Sequence, residues 1–153
     1  MSGLPVLSEQ NNKKEIVRRL QNGANVNEQD SNGTTALFVA CQKNYTEIAE
    51  ILLCFNKINV NLHNNARYSP FYYACSNNSY ECVLMMLQDA RVDVNLDDNY
   101  GISPFMWACY NGYTKTVQLL LSFGRNIDIH KKSTQDLYNI KGDPSILMIQ
   151  LIS

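Results

Sequence analysis

The sequence predicts an all-α solenoid in which helix-turn-helix units are stacked along the chain. Two observations carry this prediction. First, three blocks of sequence recur in the same order, and equivalent positions such as Thr35, Ser69 and Ser103 lie 34 residues apart. Second, the apolar residues inside these blocks have the spacing of helices and not the alternation of strands. A period of about 20–50 residues is typical of repeat proteins, in which each unit buries its apolar face against its neighbours.

The first block of each unit begins a helix. Ser69-Pro70 and Ser103-Pro104 combine a favourable N-cap residue with a proline whose φ suits the first helical turn. Small residues follow at equivalent positions, where two helices can approach closely. They are Ala40, Ala74 and Ala108, and Cys41, Cys75 and Cys109. Because the three cysteines are repeat equivalents, we interpret them as buried packing residues and not as reactive thiols or metal ligands.

The second block begins with a tight turn and continues as a second helix. The turn needs a left-handed residue, which Gly112 supplies in one unit and Asn12, Asn44 and Asn78 supply in the others. The second helices then carry apolar residues at helical spacing that are predicted to lie in the core. They are Ile48, Ile51 and Leu52, then Val83, Leu84 and Leu87, then Val117, Leu120 and Leu121.

A short third block closes each unit. It reads Ala24-Asn25-Val26-Asn27, Ile58-Asn59-Val60-Asn61, Val92-Asp93-Val94-Asn95 and Asn126-Ile127-Asp128. Two units have one residue more than the last between the second helix and this block, and they lack a glycine there. Their second helices are therefore predicted to exit through a bulge.

These blocks resemble the ankyrin repeat. Ser69-Pro70-Phe71 and Ser103-Pro104-Phe105 stand where that family has Thr-Pro-Leu, and the likeness extends over residues 12–128. The resemblance implies an ankyrin-repeat solenoid whose units are joined by β-hairpin-like loops, in about five repeats with degenerate terminal caps. It places the repeats at approximately 1–31, 32–65, 66–99, 100–131 and 132–153 of a single domain. Arg67 occupies a loop-tip position that is glycine in two other repeats, so a different turn is expected there.

Both ends of the chain are predicted to act as caps. The first repeat has a degenerate opening helix and a clear second helix from Lys13 to Gln21, whose charged residues suit an outer surface. Two registers remain open at the other end. Either Ser133 begins a helix and Gly142 turns into a last helix, or a long loop over 129–142 precedes a single closing helix over 145–152.

The charge balance argues against a nucleic-acid partner, and the hydropathy pattern argues against membrane insertion. The chain has 13 basic and 14 acidic residues, so it lacks the positive field that attracts phosphates. No apolar run approaches the ~18–20 residues that span a bilayer. The 5 cysteines are scattered without a Cys-x-x-Cys pair, which favours free thiols in a reducing cytoplasm.

The sequence offers no constellation for catalysis. Its 2 histidines, His63 and His130, lie in predicted loop tips far apart in the repeat order. It contains no Ser/His/Asp or Cys/His arrangement, no glycine-rich phosphate loop and no metal-ligand spacing. We therefore predict a protein that is not an enzyme and that needs no metal or cofactor.

The resemblance to ankyrin repeats implies a protein-binding surface on the concave face, which the loop tips and the exposed sides of the first helices form. Exposed aromatic residues at the family's variable positions are typical anchors of protein interfaces. We predict that Trp107 and Tyr110 anchor a patch centred on the third and fourth repeats. The alternative is that these side chains pack mainly against a neighbouring repeat. The full predicted set is Tyr68, Tyr73, Ser76, Asn77, Tyr100, Ile102, Trp107, Tyr110 and Asn111.

The leading functional interpretation is a non-catalytic module that binds a protein partner on the concave face. The alternative is a regulatory or targeting segment of a larger protein, such as an enzyme, channel or effector. The strongly apolar residues 146–152 favour this alternative, because the end of a solenoid is expected to be polar. The same residues offer a route to self-association if they form an uncovered helix.

Overall fold

The computed structural model describes residues 3–129 and confirms the predicted all-α fold. The helices in this range are α1 (Leu4–Glu9), α2 (Lys13–Gln21), α3 (Ala36–Lys43), α4 (Thr46–Leu53), α5 (Pro70–Ser76), α6 (Tyr80–Gln88), α7 (Pro104–Tyr110) and α8 (Thr114–Ser122). The first helices α1, α3, α5 and α7 pack against one another in one layer, and the second helices α2, α4, α6 and α8 form the other. Both proposed registers of the C-terminal cap, and the apolar stretch 146–152, lie outside the described residues.

The first helices begin where the cap residues predict. Ser69 and Ser103 have extended backbones, and their hydroxyl oxygens accept hydrogen bonds from Tyr72 N (3.1 Å) and Met106 N (3.2 Å). Thr35 caps α3 in the same way. A cap of this kind contributes about 1 kcal/mol to helix stability. The proline that follows each serine has no N–H group that the first turn would leave unsatisfied.

The first repeat is more regular than its sequence indicates. Its opening segment, predicted to be degenerate, forms the 6-residue helix α1. Two hydrogen bonds hold this helix in place. Glu28 Oε2, in the loop after α2, accepts from Leu4 N at 3.0 Å, and the buried Ser8 hydroxyl donates to Ala36 O of the second repeat at 3.0 Å. The following helix α2 has the predicted bounds.

The turns between paired helices contain left-handed residues, as predicted for Asn44 (φ 55°), Asn78 (φ 55°) and Gly112 (φ 71°). The prediction is wrong for the first repeat, where Asn11 (φ 51°) and not Asn12 is left-handed. Asn12 has a φ of −88° and is the N-cap of α2, because its side chain accepts a backbone hydrogen bond at 3.2 Å from the first turn of that helix. A residue that caps the helix cannot also make the left-handed turn before it.

One continuous core runs between the two layers. The small residues at the helix contacts are fully buried, which confirms their predicted role: Ala40, Ala74, Ala108, Cys41, Cys75 and Cys109. The predicted core residues of the second helices are also buried, except that Ile51, Leu84 and Leu121 are half-buried. The buried stripe instead includes Cys82 and Thr116, because they occupy the same position of the repeat as the buried isoleucine of α4.

Asparagines of the third block connect each repeat to the next. Asn61 Nδ2 donates to Arg91 O at 2.9 Å, and Asn61 Oδ1 accepts from Asp93 N at 2.8 Å. Asn27 and Asn95, the repeat equivalents of Asn61, make the same pair of bonds to the repeats that follow them. These three residues therefore form an asparagine ladder along the loop edge of the solenoid.

The exits of the second helices are of two kinds. The glycines Gly23 (φ 84°) and Gly124 (φ 82°) follow α2 and α8, whereas residues 54–57 and 89–91, which follow α4 and α6, contain no left-handed residue. A left-handed glycine usually helps to satisfy the last carbonyl groups of a helix. The exits of α4 and α6 need another source of donors.

Arginine from the next repeat supplies these donors. Arg91 Nη2 donates to Leu53 O at 2.8 Å at the exit of α4. Arg125 Nη1 donates to the carbonyl oxygens of Leu87 and Asp89, each at 3.1 Å, at the exit of α6. Both arginines are therefore part of the solenoid's inter-repeat structure.

Candidate protein-binding surface

Each loop tip is built around one side chain that bonds its own turn. Asp98 Oδ1 accepts hydrogen bonds from Tyr100 N at 2.8 Å and from Ile102 N at 3.0 Å. Asp30 and Asn64 make the equivalent bonds in the two preceding tips. This role was not predicted, although the three residues lie 34 positions apart in the sequence, and that spacing is a signal for it. The tips are thus rigid frames that present their neighbouring side chains.

Arg67 adopts the turn that glycine adopts in the other tips, so the expectation of a different turn is wrong. Its φ is 64°, compared with 75° at Gly33 and 74° at Gly101. The hydrogen bonds of the Asn64 side chain hold the loop in this shape although a non-glycine residue is strained there. The Arg67 guanidinium lies 3.8 Å from the Asp97 carboxylate of the next tip, so it also forms an exposed ion pair.

The structure places all but one of the predicted binding residues at least partly at the surface formed by the first helices and loop tips. Ile102 is the exception: it is 2% exposed and belongs to the core. Its N–H is held by Asp98 inside the tip, and its side chain is among the largest that are fully buried. Ile102 is therefore removed from the binding set. The exposed members are Asn77, Tyr100 and Asn111, and the half-buried members are Tyr68, Tyr73, Ser76, Trp107 and Tyr110.

Trp107 and Tyr110 form one aromatic platform on α7. Their rings are stacked, with centroids 5.5 Å apart and an interplanar angle of 17°. The two residues are three positions apart, so a helix places them on the same face. Both are half-buried, so each ring has an exposed part that a partner could contact. Stacking fixes the ring orientations before a partner binds, which lowers the conformational entropy lost on binding.

A second aromatic cluster lies around α5. Tyr73 packs on Phe38 of the preceding repeat, with ring centroids 4.5 Å apart, and Tyr68 packs on Tyr73 at 5.2 Å. The buried Tyr72 hydroxyl donates to Asp98 Oδ2 at 3.0 Å. Burial raises the pKa of the Tyr68 hydroxyl, and the Asp98 carboxylate raises it further. Tyr68 and Tyr73 thus have a share in the packing between repeats as well as an exposed part.

Comparison with known families agrees with these helix pairs and loop tips. The family model of ankyrin repeats (3 copies) matches residues 6–98 and 69–133. The chain belongs to the ankyrin-repeat family. Ankyrin repeats are generally modules for protein–protein interaction, and the family is typically non-catalytic. A search of curated proteins finds no match.

The described part of this ankyrin-repeat chain contains no group of three or more His, Cys, Asp or Glu residues that could hold a metal ion. His63 is exposed, with its Nδ1 atom 3.1 Å from Asn64 O, and His130 lies outside the described residues. No helix within residues 3–129 is long and apolar enough to cross a membrane.

The cysteines of the ankyrin repeats differ in accessibility, and this gives a testable prediction. All 5 are free thiols, of which Cys54 is exposed and the others are buried. Burial raises the pKa of Cys75, and it raises the pKa of Cys109 to about 12, so these buried thiols carry little thiolate at neutral pH. Brief iodoacetamide treatment at neutral pH is expected to label Cys54 at least tenfold faster than any other cysteine, as measured by peptide mass spectrometry.

The control for this labelling is the same reaction in denaturant, where all the cysteines should react at similar rates. Comparable labelling of Cys54 and Cys75 in the folded protein would contradict the packing described here.

Proposed function

We propose that this ankyrin-repeat domain binds a protein partner on its concave face and performs no chemistry of its own. The observation that carries the proposal is the stacked pair of Trp107 and Tyr110, which is partly exposed on α7. Exposed Asn111 donates from Nδ2 to Trp107 O at 2.9 Å, and exposed Tyr100 lies in the tip that leads to α7. Large aromatic anchors with polar neighbours are the usual composition of a binding hot spot.

The experiment compares a Trp107→Ala/Tyr110→Ala double variant with the wild type. The partner is captured from lysate of the source cells, purified, and titrated against both proteins. We expect the double variant to bind at least about tenfold more weakly, because hot-spot aromatics contribute about 2 kcal/mol or more each when they are buried in an interface. Thermal melting checks that the variant is folded at the temperature of the titration.

Tyr80→Ala is the matched control. Tyr80 is an exposed aromatic residue on α6, in the layer of second helices, so its removal should leave the partner's affinity unchanged. Equal affinity of the double variant and the wild type would contradict the proposed patch. A loss of binding in Tyr80→Ala alone would move the site to the second helices.

We also propose that the protein acts in the cytoplasm. The support is that all 5 cysteines are free thiols, as a reducing compartment favours. Fractionation of source cells with an antibody to the protein tests this, and recovery from a secreted or membrane fraction would contradict it.

A further inference from the structure

A cleft of about 350 Å³ opens at the other end of the predicted binding face, between α1, α3 and the loop tips of the second and third repeats. Its volume is at the lower end of the range of about 300–1,000 Å³ for ligand pockets. It therefore has room for one or two side chains of a partner and not for a folded element. The sequence does not predict this cleft, because the segment that forms α1 does not match the opening helix of the other repeats.

The cleft has an apolar floor and an apolar edge. Phe38 and Val39 of α3 line it and are buried, and Tyr73, whose ring packs on Phe38, closes one side. At the opening, Val6 of α1 is 42% exposed, and in residues 3–129 only Tyr80 and Tyr100 are likewise large apolar residues that are exposed. An apolar side chain of a partner would remove the exposed parts of Val6 and Tyr73 from water, at about 25 cal/mol for each Å² buried.

The charged residues that line the cleft are all acidic. Glu9 and Asp30 line it, both residues are exposed, and the lining contains no lysine or arginine. Asp30 uses Oδ1 for the bonds within its tip, so its second carboxylate oxygen can accept a bond from a ligand. Lys43 lies 3.7 Å from Glu9, in an exposed ion pair of the kind that contributes little. At the neighbouring tips, in contrast, the positive charge of Arg67 offsets the negative charge of Asp97.

We propose that this cleft binds a partner segment in which an apolar side chain stands next to a lysine or arginine. The apolar side chain contacts Val6 and Tyr73, and the cation lies between Glu9 and Asp30. Acidic groups at the edge of an apolar pocket select a cation both by attraction and by rejecting acidic segments. The inference rests on the proposed function, because it names the chemistry of a partner bound on the same face.

The cleft and the aromatic platform are placed so that one extended segment can contact both. Tyr73, which lines the cleft, and Trp107, which belongs to the platform, occupy equivalent positions in adjacent repeats. The partner segment is thus expected to carry its basic and apolar residues at one end and its contacts with the platform at the other.

The test is a selection from a random-peptide display library against the full chain, followed by titration of the enriched peptides. We expect these peptides to share an apolar residue next to Lys or Arg. Glu9→Lys is expected to lower their affinity about tenfold, because it replaces the attraction between Glu9 and the peptide's cation by a repulsion. Glu50→Lys is the matched control, since Glu50 is exposed on α4 in the other layer, and it should leave affinity unchanged.

Each result separates this inference from the proposed function. In one outcome, the peptides lose affinity for the Trp107→Ala/Tyr110→Ala variant but bind Glu9→Lys as well as they bind the wild type. This result would contradict the proposed cleft site and support the proposed site at the aromatic platform. Peptides that depend on Glu9 but not on Trp107 or Tyr110 support the cleft and contradict the platform. A library from which the wild type enriches no sequence, or enriches sequences without basic residues, counts against the cleft.

Discussion

Arg125→Ala is expected to lower the free energy of unfolding by about 2–4 kcal/mol, although the side chain is only partly buried. The Arg125 guanidinium donates to three carbonyl oxygens at the exit of α6, including Val92 O at 2.5 Å. Hydrogen bonds to charged groups contribute a net of about 1.5–3 kcal/mol each, and water that reaches the partly buried carbonyls in the variant offsets part of the combined loss. Residues 89–91 contain no left-handed residue to take over this role.

Urea unfolding measures this effect, and Lys57→Ala is the matched control. Lys57 and Arg125 occupy equivalent positions two repeats apart, but Lys57 is exposed, and the helix exit of the repeat before it, after α2, has the left-handed Gly23. Its removal should change stability by less than about 0.5 kcal/mol. Arg125→Lys should recover only part of the stability, because a single ammonium group lacks the planar set of donors that reaches several carbonyls. Equal small effects of Arg125→Ala and Lys57→Ala would mean that the arginine does not hold the exit.

The helices could be predicted because their signals are local. Ser69 and Ser103 begin α5 and α7 through bonds to residues three positions away, so their effect does not depend on distant structure. The predicted bounds of α2 are likewise those of the structure. The error at Asn12 is also local in origin. Adjacent asparagines, Asn11 and Asn12, suit either a left-handed turn or an N-cap, and only the start of the helix decides between them.

The contacts between repeats could not be predicted in the same way. Arg91 and Arg125 act on carbonyls of the preceding repeat, and the sequence shows only that glycine is missing from those exits. The buried hydrogen bond from the Tyr72 hydroxyl to the Asp98 carboxylate also joins residues of different segments. A periodic sequence indicates which positions are equivalent, but the partner of each side chain depends on the offset between stacked units.

The candidate binding residues are predicted from their positions in the repeat, and their burial in the structure then distinguishes the core residue from those at the surface. Ile102 shares its position with the partly exposed Tyr68, yet it is buried because an isoleucine lacks the polar end that keeps a tyrosine at the surface. The stacking of Trp107 on Tyr110 follows from their spacing on a helix, although the sequence does not fix the ring angle.

Asn61→Ala is expected to lower the free energy of unfolding by about 1–3 kcal/mol and to make unfolding less cooperative. The substitution removes the bond to Arg91 O at 2.9 Å and the bond from Asp93 N at 2.8 Å, both of which cross from the second repeat to the third. Each such bond contributes about 0.5–1.5 kcal/mol. Because a solenoid is stabilised by its units and by the interfaces between neighbours, a weaker interface also weakens the coupling of the two halves.

Asn56→Ala is the control for this substitution, since Asn56 is an exposed asparagine of the same loop. It should leave both the midpoint and the m-value of urea unfolding unchanged. In Asn61→Ala the midpoint should fall, and hydrogen exchange should show the first two repeats opening separately from the later ones. A lower midpoint with uniform exchange throughout the chain would mean that the asparagine ladder adds stability without coupling the repeats. No change in either measurement would mean that hydrogen bonds to water replace those of the asparagine ladder without any loss of stability. The apolar core alone would then hold the repeats together.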